Sequence, residues 1–421
     1  MPLSVLRPIK FMPMLCMGLC LALSVTSSAF AGQCHKAGQW LIPSSKQFVS
    51  TAELSQTMND QQVVLLGEQH DIAEHHRWQL QTLSALFARH QDMALGFEMF
   101  PRRVQPALDK WVAGELNELE FLKQSDWSKV WGYDAKLYMP LFHFARINKI
   151  PMLALNIDRS VVRTASKKGI AQMSEEERQG VSLPAPASAD YLELLANTFG
   201  GHGHSETTIE ETLKDERFLH FVDAQQLWDR AMAERLADAV KSSRGKSSRG
   251  KSSRGKSSRG KSSSPTLLVG IMGTGHIVER FGIPHQLADL GISKTTVLLP
   301  SDDSIPCTDI TARTADAIFG ISGYKEPEPK ARPLLGVHLL SEKGAIKIAQ
   351  IVEKSVAEQS GLKQGDAFIS LAGKMVASID DVVNTVQAML AGTWLPIVIE
   401  RDGKSLELVA KFPVEERNKT H

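Results

Sequence analysis

The chain has 421 residues, of which 43% are hydrophobic and 23% are charged, a composition typical of folded globular domains. Its formal net charge of +1 hides two basic segments. Residues 1–31 contain two cations and no acid, and residues 241–264 contain nine cations and no acid. The rest of the chain has 37 lysines and arginines against 47 acids, a net charge of −10. This acidic body excludes a basic nucleic-acid-binding domain, and the length suggests two or three domains.

The N-terminal segment has the three parts of a secretory signal peptide. Two cations precede an apolar run over residues 11–25, and small residues follow it up to Ala31. We therefore predict a signal peptide over residues 1–31, cleavage after Ala31, and export to the periplasm or the outer membrane. A membrane anchor is the alternative, although the apolar run is short for a spanning helix.

Two cysteines remain once that segment is removed, Cys34 and Cys307. Disulfides form and persist in oxidising compartments, and an exported chain reaches such a compartment. The sequence therefore predicts a disulfide between these two residues.

Short apolar runs alternate with segments of helical periodicity along the main part of the chain. The runs cover residues 62–67, 93–97, 151–155, 265–271 and 295–299. This alternation predicts an α/β domain over residues 32–324, with a mostly parallel sheet and helices on both faces. Residues 190–199 and 209–240 have helical periodicity with polar faces, which predicts a helical insertion.

A basic repeat follows the predicted insertion. The five-residue unit Lys-Ser-Ser-Arg-Gly occurs four times from Lys241, and the repeat ends near residue 264. The segment has no apolar side chain to bury, so we predict a solvated, extended loop. Two interpretations remain: a tolerated expansion of a surface loop, or an arm that binds an anionic membrane surface.

Residues 325–333 form a proline-spaced, charged linker, and residues 334–413 predict a small β-rich unit with a helix capped by Ser378. The run 354–366, Gly373 and the turn 401–403 resemble the corresponding features of PDZ domains. The resemblance implies that protein C-termini or extended peptides bind beside an edge strand. The peptide-binding candidates, which occupy the position of the family's carboxylate-binding loop, are Leu335, Gly336, Val337 and His338. A PDZ domain that only stabilises the protein is the alternative.

Four polar side chains follow predicted strands of the main domain: His70, Glu98, Asn156 and His276. Ligands of open parallel sheets bind outside the carboxyl ends of the strands, so these side chains are expected to converge. Two histidines and a carboxylate are a common ligand set for a divalent metal, and an open coordination position would allow hydrolysis. The alternative is that each residue makes only local hydrogen bonds.

The main domain resembles the ChaN-type haem-binding uptake family of the Tiki superfamily over residues 45–320. The likeness rests on residues 65–76 with Gln79, 96–99, 131–133, 138–140, 154–156, 224–229 with 232–233, and 273–276. It implies an α/β sheet with a helical insertion, haem as cofactor and, from members that bind haem between subunits, a homodimer. Other branches of the superfamily imply a metal-dependent protease that uses His70, Glu98 and His276.

The resemblance also suggests residues that would contact haem. Iron accepts tyrosine or histidine as an axial ligand, and Tyr138 is the first candidate because aromatic residues surround it in the sequence. Tyr133, His76 and Asn156 complete the predicted haem site, and ordinary core packing is the alternative for these aromatic side chains. His202 and His204, in a glycine-rich stretch, are further candidates for iron.

Three functions are consistent with the sequence. The first is an exported haem-binding protein in iron or haem uptake that recruits a partner through its PDZ domain. The second is an exported metal-dependent hydrolase. The third is a scaffold with a vestigial pocket, in which the PDZ domain carries the function.

Overall fold

The computed structural model describes residues 34–201, 208–249, 267–302, 305–323, 333–342 and 344–414. The predicted signal peptide, His202, His204 and most of the predicted linker lie outside these residues. The chain divides into two compact units, with the boundary between Tyr324 and Lys325. None of the helices within the described ranges combines the length and the hydropathy that crossing a bilayer demands.

The first unit contains an eight-stranded sheet. Its strands are β1 (Trp40–Ile42), β2 (Gln47–Val49), β3 (Val63–Glu68), β4 (Met93–Pro101), β5 (Met152–Asn156), β6 (Leu267–Gly273), β7 (Thr295–Ser301) and β8 (Ala317–Gly320). The order across the sheet is β2-β1-β8-β7-β3-β6-β4-β5. All pairs among the last six strands in this order are parallel, whereas β1 pairs antiparallel with both β2 and β8. The predicted mostly parallel sheet is confirmed.

Neighbouring residues of a strand face opposite sides of the sheet, and both sides of this sheet are apolar. Helices therefore cover both faces. Val64 and Leu66 of β3 belong to one apolar core, and Val63 and Leu65 belong to the other. The helices are α1 (Thr51–Thr57), α2 (Ala73–Arg89), α3 (Gln105–Ala113), α4 (Glu118–Gln124), α5 (Trp127–Val130), α6 (Ala135–Ile147), α7 (Arg159–Lys168), α8 (Ala189–Gly201), α9 (Ile209–Thr212), α10 (Glu216–Arg249) and α11 (Ile283–Asp289).

Helix α10 corrects the prediction of an extended loop from Lys241. The helix continues to Arg249, inside the repeat. Lysine and arginine are good helix formers, and cations near the C-terminus interact favourably with the helix dipole. The first residues of the repeat can therefore prolong the helix without burying any apolar surface.

The second unit is an antiparallel sheet with two helices. Its elements are β9 (Val337–Glu342), β10 (Ala345–Ile351), α12 (Val356–Gln359), β11 (Ala367–Leu371), β12 (Lys374–Met375), α13 (Ile379–Gln387), β13 (Trp394–Arg401) and β14 (Lys404–Lys411). Strand β9 lies at an edge of the sheet. The side chain of Ser378 caps α13 as predicted, by accepting from the backbone of Asp381. The unit has an apolar core of its own, which includes Ile348, Phe368 and Ile397.

Candidate functional site

Two neighbouring parallel strands bring together the loops 67–70 and 273–276, each of which begins with a glycine and ends with a histidine three residues later. Strands β3 and β6 pair in a register that sets Glu68 opposite Gly273. His70 follows β3 by two residues, and His276 lies in a short 3-10 turn after β6. A Cβ added at Gly273 would lie 2.9 Å from Cε1 of His70 and 3.6 Å from Oε2 of Glu98. A side chain at position 273 would therefore displace the ring of His70.

Glu98 joins the two loops, although it lies inside its strand and not after it. It is 1% exposed within β4, and its Oε2 accepts a hydrogen bond of 2.6 Å from the backbone nitrogen of Gly273. Its Oε1 lies 3.3 Å from Nε2 of His276. The predicted convergence of His70, Glu98 and His276 is thus present in the geometry.

Asn156 lies at the same end of the sheet as the two histidines, next to Glu98. It is the last residue of β5 and is 7% exposed. Its side-chain nitrogen donates to the backbone oxygen of Glu98 at 2.8 Å, and its side-chain oxygen accepts from the backbone of Ile157. Asn156 therefore fixes the backbone beside Glu98, and its side-chain amide is occupied by the backbone.

His276 is held between two buried carboxylates. Its Nδ1 lies 2.5 Å from Oδ1 of Asp229, and Tyr191 donates to the other oxygen of Asp229 at 3.0 Å. Burial opposes protonation of His276, but the charges of Glu98 and Asp229 outweigh it and raise the pKa to about 10. His276 is therefore a cation at neutral pH, and both of its ring nitrogens face a carboxylate.

Glu68 is a third buried carboxylate, and its hydrogen bonds hold together the side chains on the His70 side of the site. It accepts from Nδ1 of His70 at 2.8 Å, from the hydroxyl of Tyr138 at 2.6 Å and from Nε2 of Gln79 at 3.0 Å. Nδ1 of His76 lies 3.2 Å from it. Burial alone would raise the pKa of Glu68, but the hydrogen bonds from the two histidines lower it to about 2.

Tyr138 and His76, both predicted as haem contacts, are buried beside Glu68. Tyr138 has no exposed surface, and its hydroxyl is engaged by Glu68. His76 is 3% exposed, and its Nε2 lies 3.1 Å from the backbone oxygen of His70. Both side chains are therefore core residues that support Glu68, which is the packing alternative. Tyr133 is 38% exposed and lies next to His70, with 5.2 Å between ring centroids.

His70 keeps a nitrogen available. The side chain is 26% exposed, its Nδ1 is bound by Glu68, and Nε2 has no hydrogen-bond partner among the described residues. Burial opposes its protonation, but the hydrogen bond to Glu68 raises its pKa. The ring of Trp131 meets it edge-on, 4.6 Å between centroids. A histidine oriented by a carboxylate is typical of metal and haem ligands.

Glu68 and Asp229 are the site residues that the sequence did not single out. Both lie in segments used for the family resemblance. Glu68 directly follows the predicted strand over residues 62–67, whereas Asp229 lies within a predicted helix. A signal was present for Asp229, because a carboxylate on the apolar, buried face of α10 needs a partner. The partner is His276, which lies 47 residues further along the chain.

The geometry of a metal centre does not form around these residues as the structure places them. In the described part of the chain, no group of three or more histidine, cysteine, aspartate or glutamate side chains is arranged to hold a metal ion. The nitrogens of His276 contact Asp229 and Glu98, and Nδ1 of His70 contacts Glu68. The predicted three-residue metal site would need these ion pairs to open.

Two adjacent clefts lie beside the cluster and share four residues, Asn156, Ile157, Arg159 and Trp228. Their volumes are about 190 and 250 Å³. The side chains that line them are otherwise Met99, Pro101, Arg103, Lys129, Val130, Trp131, Asp158, Ser160, Val162 and Arg163. Trp131 contacts His70, and Trp228 contacts His276 with 5.0 Å between ring centroids. The two tryptophans thus connect the clefts to the cluster.

The side chains that line these clefts have the chemistry that a porphyrin needs. Aromatic and aliphatic side chains would contact its faces, and cations on the rim would meet its propionates. The indole nitrogens of Trp131 and Trp228 are buried without a hydrogen-bond partner among the described residues, which is unusual in a folded protein. His70 supplies a free ring nitrogen close to Trp131.

In the second unit, the four predicted peptide-binding residues lie at the start of the edge strand. Leu335 is buried, and its backbone oxygen accepts from Ala357 at 2.7 Å. Gly336 has a φ of +82°, and a Cβ there would lie 2.2 Å from Cβ of Ser355. Val337 and His338 begin β9, which packs beside α13. The open edge of β9 and this helix form the groove in which a peptide would add as a strand.

Comparison with protein families assigns both units. Residues 54–287, more than half of the chain, match the family described as haem-binding uptake, Tiki superfamily, ChaN. Residues 333–411 match the PDZ domain.

Curated relatives match a short part of the chain. Two periplasmic proteases match part of the chain: a DegP-like serine endoprotease of Chlamydia trachomatis is 33% identical over 72 residues, and a do/HhoA-like serine protease of Haemophilus influenzae is 27% identical over 97. These matches span only 14% and 21% of the relatives' length and 16% and 23% of this chain.

Among solved structures, ChaN of Campylobacter jejuni with cofacially bound haem is 20% identical, with a TM-score of 0.49. The match covers 66% of this chain and 95% of that one. The PDZ domain of HtrA3 bound to a phage-derived ligand is 12% identical over 18% of this chain and 83% of its own, with a TM-score of 0.17.

Proposed function

The chain belongs to the ChaN-type haem-binding uptake family of the Tiki superfamily and carries a PDZ domain, and on this premise we propose that it is an exported haem-binding protein in haem or iron uptake. Haem would occupy the clefts between Trp131 and Trp228, with Nε2 of His70 as the iron ligand. The observation that carries the proposal is the free Nε2 of His70, a ring oriented by buried Glu68 and in contact with Trp131 of the cation-rimmed cleft.

Two observations support export. The first 31 residues have the pattern of a signal peptide. Cys34 and Cys307 form a disulfide, which confirms the predicted pairing and is typical of proteins from oxidising compartments. The PDZ domain would recruit a partner by binding its extended C-terminal peptide beside β9.

The central experiment is a haem titration of the purified mature protein, followed by absorbance. We expect a Soret band that differs from that of free haem, and we expect His70→Ala to shift or remove it because the iron loses its ligand. His143→Ala is the matched control, since this partly exposed histidine pairs with Glu118 and does not line the clefts. A normal Soret band in the His70 variant would contradict the ligand assignment. An absence of haem binding by the wild-type protein would contradict the function itself.

A metal-dependent hydrolase is the second candidate, favoured by the convergence of His70, Glu98 and His276 around Gly273. In that case the purified protein should contain a divalent metal, lose activity with a chelator and regain it with added metal. Glu98→Gln should abolish turnover. Metal analysis of the same preparation used for the haem titration separates the two candidates.

A further inference from the structure

The rim of the clefts has an unbalanced positive charge. Four cations line it: Arg103, Lys129, Arg159 and Arg163. Two carboxylates lie among them, Asp126 and Asp158, and Arg103 binds both, at 2.8 Å each. Lys129 lies 3.9 Å from Asp126. The four cations therefore exceed the two carboxylates by two positive charges.

The excess is located on Arg159 and Arg163. Both are exposed, and neither forms an ion pair within the described ranges. They are four residues apart on α7, which places them on the same face of the helix. Arg159 also donates a long hydrogen bond of 3.4 Å to the backbone oxygen of Trp131, so its guanidinium lies near the cleft wall.

An apolar surface lies directly next to these two guanidinium groups. Ile157, Val162 and Trp228 line the same cleft. A ligand that satisfies this arrangement has a flat apolar body and two carboxylates on one side. Guanidinium groups bind carboxylates through paired hydrogen bonds, which gives them geometric specificity as well as affinity.

We propose that Arg159 and Arg163 form the carboxylate-binding subsite of the cleft, and that the protein selects tetrapyrroles with two free propionates over the esterified forms. This inference rests on the proposed haem-binding function and adds to it the chemical feature that the chain recognises. The two excess charges match the two propionates of haem. Arg103 has a different role, since it joins α5 to the loop before α7 through Asp126 and Asp158.

The test compares ferric haem with its dimethyl ester, which has the same ring and iron but no carboxylate. Binding is followed by quenching of tryptophan fluorescence, a readout that does not depend on iron ligation. The variant is R159Q/R163Q. The control is K110Q/K123Q, which removes two exposed cations of α3 and α4 that do not line the clefts.

The wild-type protein and the control should bind haem at least about tenfold more tightly than the dimethyl ester, and added salt should reduce this preference. R159Q/R163Q should bind both ligands equally, at the affinity that the wild type has for the ester. Equal haem affinity in R159Q/R163Q and wild type would overturn the inference while leaving haem binding intact. Failure of the wild type to bind either ligand would overturn the proposed function, and the inference with it.

Discussion

At the scale of single residues, the site is built around three buried carboxylates, Glu68, Glu98 and Asp229, and each is paired with a histidine. A buried charge costs free energy unless it is paired and hydrogen-bonded, and all three carboxylates meet that condition. Tyr138 donates one of the hydrogen bonds that offset the free-energy cost of burying the charge of Glu68. Its importance should therefore be structural.

Tyr138→Phe should lower the free energy of unfolding by about 1–3 kcal/mol, because Glu68 loses a buried donor while the ring remains. The haem spectrum should change little. Tyr133→Phe is the control, since this tyrosine is partly exposed and its hydroxyl has no partner in the described part of the chain. Denaturant unfolding measures the difference. Equal stability of the two variants would show that the hydroxyl of Tyr138 contributes nothing.

His75 should make stability depend on pH. Its Nδ1 accepts from the backbone of Gln69 at 2.8 Å, and burial lowers its pKa to about 4. The unfolded chain binds a proton near pH 6.5, so the stabilisation is complete above that pH and is lost as the pH falls towards 4.

Between pH 7 and pH 4.5, the stability of the wild type relative to His75→Gln should fall by about 2 kcal/mol. Denaturant unfolding at a series of pH values measures this difference. Parallel pH curves for the two proteins would contradict the prediction.

Part of this site could be predicted from the sequence, because the end of each apolar run marks the end of a strand. His70 and His276 follow apolar runs and repeat the same glycine–histidine spacing, so their convergence could be inferred. The positions of Tyr138 and His76 could not be predicted, because their burial depends on which helix covers the strand ends. Asp229 could not be paired with His276 without knowing where α10 crosses the sheet.

At the scale of elements, the turn before β9 depends on glycine. A side chain at position 336 would collide with Ser355 and would also strain a backbone of positive φ. Gly344 has the same φ of +82° but open space around its Cβ position. The two glycines therefore separate the effect of collision from the effect of backbone strain.

Gly336→Ala should destabilise the second unit more than Gly344→Ala does, and only Gly336→Ala should abolish binding of a C-terminal peptide. Thermal unfolding and a fluorescence-polarisation titration with apolar C-terminal peptides measure the two effects. Equal peptide affinity in both variants would contradict the assignment of residues 335–338 to the binding loop.

The disulfide closes a long loop, since Cys34 and Cys307 are 273 residues apart. In the chain-entropy model such a link could contribute about 5 kcal/mol, and removal of native disulfides often costs about 2–5 kcal/mol. C34S/C307S should therefore unfold at lower denaturant concentration than the wild type. Thiol titration in denaturant should find neither Cys34 nor Cys307 free in protein purified without a reductant, and two free thiols at these positions would contradict the bond.

Among the strands of the first unit, the ones that the sequence missed are the short ones. β1, β2 and β8 have three or four residues each, too few for a periodic pattern. The five longer strands were predicted within a few residues of their ends. β4 is longer than predicted because it continues through Glu98 to Pro101, and this explains why Glu98 lies within the sheet.

At the scale of the whole molecule, the two units have separate apolar cores. A segment of residues 331–415 should therefore fold alone, with cooperative thermal unfolding followed by circular dichroism. The core of Ile348, Phe368 and Ile397 and the ion pair of Arg401 with buried Asp366 support this expectation. A segment without cooperative unfolding would show that the second unit needs the first.

The antiparallel pairing of β1 with β8 has a consequence for biosynthesis. Trp40 pairs with Phe319, so the first strand of the first unit can pair with β2 early but pairs with β8 only after the last strand of the unit has been synthesised. Until then Cys34 cannot form its disulfide with Cys307, and the edge of β1 that pairs with β8 has no hydrogen-bonding partner. Contacts between residues so distant in sequence slow folding. The partly synthesised chain therefore exposes an unpaired strand edge and a free thiol, and at this stage chaperones and disulfide-forming enzymes would have their largest effect on folding.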